Sequence, residues 1–375
     1  MNALSAHKGG ILTYTQNLKT KFSQAGIKTT IAHPRYSPIA EEGKTISMNV
    51  NNLSALERFL WEQTIWRGQV NKIRPDILFS SANFALFGCK IPQLLLMREG
   101  GLFNPFYIKN VFPKLGRKAR IMTVIRRNLM VQSIKAATNV MVPSKTLYDW
   151  IHAFCPVLKT KVKINTYGIN LDFFKTQGST PLSASDPVNL LYVSVYYPHK
   201  DPETLKRATQ LLRQKNIDAR THITMSKEEF DPWHCGKRDY QSLTTSEVSQ
   251  YLTLSPVKYE NLPDVYAKND IFVFPSVSET FGFPLVEAMA SGIPVIAADT
   301  NINREICGEA ALYFRPYDAQ ELVERINSIR TQPNLYNFLC EKGKELVNRK
   351  YNINNHFENL IEIFNLMYTE NRLSD

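Results

Sequence analysis

Cysteine is scarce: Cys89, Cys155, Cys235, Cys307 and Cys340 are scattered, odd in number and never spaced C-x-x-C. That pattern argues against a disulfide framework and a cysteine zinc site, and it fits a reducing compartment. Long apolar runs are missing too. The longest candidates, such as Ile91 to Met97, have the length of a core strand, well short of a membrane span. The opening residues, MNALSAHKGG, show no charged n-region ahead of an apolar h-region, so no signal peptide is read there. Acidic residues are sparse in the first half: residues 1–178 carry 25 Lys and Arg against 8 Asp and Glu, whereas the remainder carries 20 against 26. What is present is ordinary for a soluble globular chain, with 43% hydrophobic and 21% charged residues. A length of 375 residues exceeds one ordinary core and suits two domains.

The basic half suits an anionic partner: nucleic acid, an anionic lipid surface or a polyanionic substrate. Its densest part is Lys109 to Arg127, KNVFPKLGRKARIMTVIRR. There seven basic residues interleave with Val111, Phe112, Leu115, Ile121, Met122, Val124 and Ile125. The mixture reads either as an interfacial segment on anionic lipid or as the solvated basic face of a packed helix. No nucleic-acid-binding module accompanies the charge, so nucleic acid is not expected as a partner.

The stretch with the clearest local logic is Ile271 to Asp299, IFVFPSVSETFGFPLVEAMASGIPVIAAD. Ile271 to Phe274 is a wholly apolar, β-branched and aromatic run that suits a strand buried on both faces. Pro275 ends it, and Ser276 to Phe283 is a polar, glycine-containing loop. Pro284 sits where a first helical turn tolerates a missing N–H. The helix is predicted to run to Ser291, with Gly292 at its C′ position, Pro294 beyond, and Val295 to Ala297 as the next strand. In such a unit the loop before the helix opens at the carboxyl edge of a parallel sheet, where ligands bind.

Two carboxylates, Glu279 and Glu287, frame that loop. A carboxylate accepts hydrogen bonds from a vicinal diol, and free N–H groups at a helix start hold phosphate oxygens, so the pair suits a nucleotide sugar. Spacing alone is weak, because about three acidic pairs at this separation are expected by chance. The text between them is more specific. SETFGFPLVEAMASGIPVIA resembles the donor-binding signature of glycosyltransferase family 4, the retaining enzymes of the GT-B fold with a mannosyltransferase-like group 1 signature. The resemblance continues through Asn303-Arg304-Glu305 and GEAALYFRPYD, is strong over Val188 to Asp318, and weakens towards the N-terminus.

The resemblance implies an α/β fold of two Rossmann-like, doubly wound domains facing a central cleft. The expected division is an acceptor-binding domain over 1–175, a Ser/Thr/Pro/Gly-rich linker over 176–187, a nucleotide-sugar domain over 188–350, and a C-terminal helix over 351–375 packing back on the first domain. Gly9 and Gly10 open a helical pattern that ends at Gly26, and a glycine pair there lets backbone N–H groups approach phosphate. Only Met1 to Lys8 precede them, so the first strand reads as truncated. Many relatives carry a histidine near Arg98 and Glu99. This chain has none there, and those two either replace it or fix the loop by pairing with one another, with pairing the favoured reading. Lys200, in the segment YYPHKDP, matches the family lysine that holds the donor pyrophosphate. The partner arginine is replaced by Val195 or Tyr196, leaving His199 as the nearest substitute.

The expected activity is retaining transfer of a hexose-type sugar from a UDP or GDP donor to a hydroxyl of a saccharide or polyprenyl-linked acceptor, in bacterial surface polysaccharide assembly. Glu279 is implied near the reacting centre and Glu287 on the ribose hydroxyls. Lys200 and the helix start formed by Phe281, Gly282, Phe283, Pro284 and Leu285, through its free backbone N–H groups, are implied at the diphosphate. His234-Cys235 has no partner cluster, so no metal site is read, and no cofactor beyond the nucleotide sugar is expected. Lys109 to Arg127 would seat the protein peripherally at the inner face of the plasma membrane, facing the cytoplasm. The rival readings are a sugar-nucleotide epimerase and a catalytically degenerate nucleotide-binding protein of the same fold.

Overall fold

The computed structural model describes all residues except 7–9, 36, 38, 40–43, 52, 157–160, 176–179, 184, 185 and 375, and excludes the side chains of residues 55 and 374. The chain forms two compact units. One comprises Met1–Gly100, Met122–Thr166 and Ile353–Asp375; the other comprises Gly101–Ile121 and Tyr167–Asn352.

The first unit is built on parallel strands β1 (Thr30–Pro34), β2 (Lys44–Met48), β3 (Leu78–Ser80), β4 (Gln93–Leu96), β5 (Asn139–Val142) and β6 (Val162–Ile164). β2 pairs with β1, and β3 to β6 pair in sequence order. The strand expected ahead of the first helix is a stub. Among the described residues ahead of that helix, Asn2 bridges Ala32 of β1 and Ser80 of β3 in parallel, with Asn2 N donating to Phe79 O at 2.7 Å and Ala3 N to Ala32 O at 2.8 Å. Leu4, Ala32, Val50, Trp66, Val70, Leu78 and Leu86 pack as one core cluster beside it.

The amphipathic pattern at 52–72 becomes the helices Ala55–Trp61 and Arg67–Ile73, joined through a π-helical turn over Glu62–Trp66. Ser54 and Glu57 form a reciprocal capping box at its start. The wide turn brings Trp66 and Glu62 inward together, and Glu62 Oε2 accepts from Asn2 Nδ2 at 3.0 Å. The C-terminal helix Ile353–Ser374 lies in this unit. Its Phe364 stacks on Phe22 at 6.2 Å and meets Phe79 edge-on at 5.8 Å.

The second unit holds β7 (Val188–Tyr192), β8 (Ala219–Ile223), β9 (Leu252–Leu254), β10 (Ile271–Phe274), β11 (Val295–Ala298) and β12 (Ala311–Phe314), all parallel, in the order β12-β11-β10-β7-β8-β9. Read from the other edge, this is the 3-2-1-4-5-6 order of a doubly wound dinucleotide-type sheet. β10 and β11 are buried along their whole length, as their apolar runs predict. The helix after β10 runs Phe283–Ser291. Gly292 caps it in the left-handed conformation at φ 72°, the role predicted for it.

Candidate functional site

The strand order reverses between β7 and β10, which are hydrogen-bonded neighbours. Open α/β sheets bind ligands at this point, beyond the carboxyl ends of the strands. The loops leaving β7 and β10 carry Lys200 and Glu279, 79 residues apart in sequence. Lys200 Nζ donates to Glu279 Oε1 at 2.5 Å, and both side chains are 13% exposed. Val277 N donates to His199 O at 3.0 Å, and Tyr192 Oη donates to Lys200 O at 2.8 Å, so the two loops are stitched together behind the pair. Ser276 Oγ donates to the same Glu279 oxygen at 2.6 Å. Burial pushes the Glu279 carboxyl up, but the charge of Lys200, the neighbouring His199 and the hydrogen bonds from Lys200 and Ser276 together outweigh it and hold the group below the usual carboxylate range.

His199 is half-buried beside Tyr107 and Tyr197, with ring centroids at 5.9 and 5.5 Å. Burial, reinforced by Lys200, lowers its pKa to about 3. It is therefore neutral at pH 7 and adds no charge of its own near the position of the missing arginine. It retains hydrogen-bonding capacity. At the arginine position itself, Val195 is exposed and Tyr196 is buried, stacked on Phe230 at 3.8 Å and donating to Asp239 at 2.6 Å. Neither supplies charge.

Gly282 precedes the helix Phe283–Ser291 at φ 88°, where a Cβ would meet Leu285 Cδ1 at 3.0 Å. The five residues Phe281 to Leu285 do not act alike. Pro284 has no N–H to offer, and Leu285 N is spent on Gly282 O at 3.0 Å. The donors left for an anion are those around Gly282 and Phe283, at the positive end of the helix. The Phe281 side chain is an anchor, buried between Tyr167 at 5.4 Å and Tyr351 at 5.6 Å, and the Leu285 side chain is fully buried.

Glu287 is 5% exposed and accepts from Tyr266 Oη at 3.0 Å. Burial, partly offset by that hydrogen bond, raises its pKa to about 7. Gly9 lies outside the described residues. Gly10 begins the helix Gly10–Gln24 of the first unit. The Arg98–Glu99 pairing is not formed. Glu99 Oε2 is held by Arg126 through Nε at 2.8 Å and Nη2 at 2.6 Å, while the backbone N–H groups of Arg98 and Glu99 both donate to Asn83 Oδ1.

Residues that sequence reasoning passed over complete the site. Ser276 and Tyr266 orient the two glutamates, and Asn303 Nδ2 ties Ala298 O at 2.8 Å to Ser276 O at 3.3 Å. Asn303 stands within the motif quoted for the resemblance. Tyr266 carries no local signal, because its role arises only when its helix packs beside Phe283–Ser291.

In the basic stretch, Val111 and Leu115 are buried, whereas Ile121, Met122, Val124 and Ile125 are 38–62% exposed on the helix Arg117–Ala136. No described helix is long and apolar enough to cross a membrane.

Residues 176–346 match the sequence profile of the family Glycosyl transferases group 1. The chain is 27% identical to the O-antigen chain mannosyltransferase RfbU of Salmonella typhimurium over 237 residues, which cover 61% of this chain and 59% of the relative; the match thus spans about three fifths of that protein's length. Among solved structures, sucrose-phosphate synthase from Thermosynechococcus elongatus superposes with a TM-score of 0.76 at 18% identity, covering 96% of this chain and 94% of that one. HepE from Anabaena, solved in complex with UDP and glucose, gives 0.72 at 15% identity, covering 97% and 98%. The fold is GT-B, and residues 176–346 carry a profile similar to that of the group 1 glycosyl transferases.

Proposed function

We propose that the protein is a retaining glycosyltransferase moving a hexose from a UDP- or GDP-linked donor to a hydroxyl of a saccharide or lipid-linked acceptor in surface polysaccharide assembly. The observation that carries this is the Lys200–Glu279 pair at the switch point, beside the helix start at Gly282. In the reaction the bond from the anomeric carbon to the diphosphate oxygen breaks and a bond to the acceptor oxygen forms on the same face. The bonding electron pair leaves with the nucleoside diphosphate, and the negative charge developing on its departing oxygen takes up the proton that the acceptor hydroxyl loses. A lysine and a helix N-terminus placed at that oxygen stabilise the departing group more than the bound donor. On donor binding Lys200 turns from Glu279 to the diphosphate, freeing Glu279 to accept from sugar hydroxyls. Glu287 accepts from the ribose diol.

In this reading Lys200 and the helix N-terminus neutralise the diphosphate without a metal, so activity should survive EDTA. Mannose is the first sugar to test, because the Salmonella relative is named a mannosyltransferase. The exposed apolar side chains of Arg117–Ala136 among basic neighbours support peripheral seating on anionic lipid at the cytoplasmic face.

The test is a panel of UDP- and GDP-sugars, with and without anionic vesicles and acceptor, following nucleotide release and donor identity together. Lys200→Ala should remove most of kcat, and Glu287→Ala should chiefly raise donor KM. Donor conversion without acceptor would instead establish an epimerase. Nucleotide binding without turnover would establish a non-catalytic protein.

A further inference from the structure

The loops that leave β7 and β8 carry a row of aromatic rings beside the Lys200–Glu279 pair. Tyr107, His199, Tyr197 and Trp233 follow one another with ring centroids 5.9, 5.5 and 5.4 Å apart, the first and last contacts edge-on and the middle one stacked. All four belong to the second unit. Tyr107, His199 and Trp233 are half-buried, and Tyr197 is 41% exposed. Val195, two residues before Tyr197, is exposed as well, whereas Tyr196 between them is buried. Exposed apolar side chains gathered at the mouth of a site mark where a ligand is met.

His199 joins the row to the site. Its carbonyl accepts from Val277 N, in the loop that holds Glu279, and Lys200 is the next residue. Near Tyr197, Glu229 of the short 3-10 turn Lys227–Glu229 accepts from Tyr196 N at 2.9 Å through Oε2. Its other oxygen is bonded to none of the described residues and is not among their buried, unpartnered atoms, so it meets solvent.

The sheet separates the row from the nucleoside end of the site. The steps from β7 to β8 and from β10 to β11 run in opposite directions along the sheet, so right-handed connections put the helices Pro202–Gln214 and Phe283–Ser291 on opposite faces. Glu287 stands on the second of these helices. Tyr197 and Trp233 stand on loops leading into the first and into Gly236–Leu243, which shares its face. With the ribose at Glu287 and the diphosphate at Lys200, the row lies past the diphosphate, on the side left to the acceptor. A pyranose packs its C–H face on an aromatic ring, and its hydroxyls need acceptors such as the Glu229 oxygen.

We infer that Tyr107, His199, Tyr197 and Trp233 form an acceptor platform on which successive sugars of a saccharide chain pack, with Glu229 accepting from a ring hydroxyl. This rests on the transferase reading for the position of the donor, and it names the acceptor class as an oligosaccharide. Affinity therefore grows with chain length.

Saturation-transfer NMR on the full chain compares α-linked mannotetraose, maltotetraose and chitotetraose with their monosaccharides, and calorimetry follows UDP and GDP. At least one tetrasaccharide should bind at millimolar concentration, more tightly than its monosaccharide. Tyr197→Ala and Trp233→Ala should each weaken that tetrasaccharide about three- to tenfold and leave nucleotide affinity unchanged. Tyr197→Phe, which keeps the ring, should bind as the parent does. Absence of tetrasaccharide binding to the parent, equal affinity for chain and monosaccharide, or undiminished binding in both alanine variants overturns the platform. Variants that lose UDP or GDP affinity and keep saccharide affinity would make the row a wall for the base and overturn it equally. If one alanine variant does not fold, the other decides. Failure of both nucleotides to bind the parent would overturn the transferase reading alone, whichever way the saccharide titrations come out.

Discussion

Tyr266 donates its hydroxyl hydrogen to Glu287 Oε2 across 3.0 Å, and the acceptor is a buried carboxyl whose pKa is about 7. A group this poised changes charge across the range in which nucleotides are assayed. If the ionised form accepts from the ribose diol, donor affinity should fall about tenfold per pH unit below 7 and level off above it. Glu287→Gln should flatten that profile in a calorimetric titration from pH 5.5 to 8.5.

The same group makes a stability prediction of defined sign. Its folded pKa lies above the ordinary 4.5, so the folded state binds more protons between about 4.5 and 7, and its contribution to stability falls as pH rises through that window. Glu287→Gln should therefore gain stability relative to the parent at pH 8, by up to about 3 kcal/mol, and show little difference at pH 4.5. Urea unfolding at the two pH values measures it, and a variant equally destabilised at both would contradict it.

Lys200 and Glu279 form a shielded pair, so removing one partner strands the other. Lys200→Met should cost about 3–5 kcal/mol, while Lys200→Met combined with Glu279→Gln should recover much of that loss. Both proteins should be catalytically impaired. Recovery of stability without recovery of single-turnover rate would separate the structural pair from its chemical use.

Gly282→Ala places a Cβ at a left-handed position, 3.0 Å from Leu285 Cδ1. A loss of roughly 1–2 kcal/mol is expected. Donor KM should rise with it, because the helix start moves relative to Lys200. An unchanged KM in a folded variant would remove Gly282 and Phe283 from the diphosphate site.

In the first unit His356 bridges two segments, with Nδ1 3.0 Å from Thr166 O and Nε2 3.0 Å from Tyr14 Oη. Burial lowers its pKa to about 4, so the unfolded chain binds more protons between about 6.5 and 4. This contribution is complete above 6.5 and is lost as pH falls towards 4. His356→Gln should flatten the acid limb of the stability profile, as read by urea midpoints at pH 7 and 4.5. An unaltered slope would show that other groups control acid unfolding.

Much of the second unit is legible from local pattern. The run Ile271 to Phe274, the polar loop, Pro284 and Gly292 each act through neighbouring residues, so the strand, the helix and its left-handed cap appear where the pattern puts them. The first unit is harder to read. β2 is short and incompletely buried, with no alternation strong enough to mark it, and the first strand is reduced to the bridges made by Asn2. Glu99 finds Arg126 instead of its neighbour Arg98 because strand β4 and the helix Arg117–Ala136 set the geometry of that pair.

What the sequence by itself determined was which residues end β10 and open the loop into the helix Phe283–Ser291, because apolar period, proline and glycine act over a few residues. Tertiary structure decided what those residues do. The adjacency of β7 and β10 unites Lys200 with Glu279, and burial makes His199 neutral and moves Glu287 to about 7. Packing also leaves one oxygen of Asp201 without a partner among the described residues. Each of these depends on solvent exclusion and on non-sequential neighbours, which local pattern does not encode.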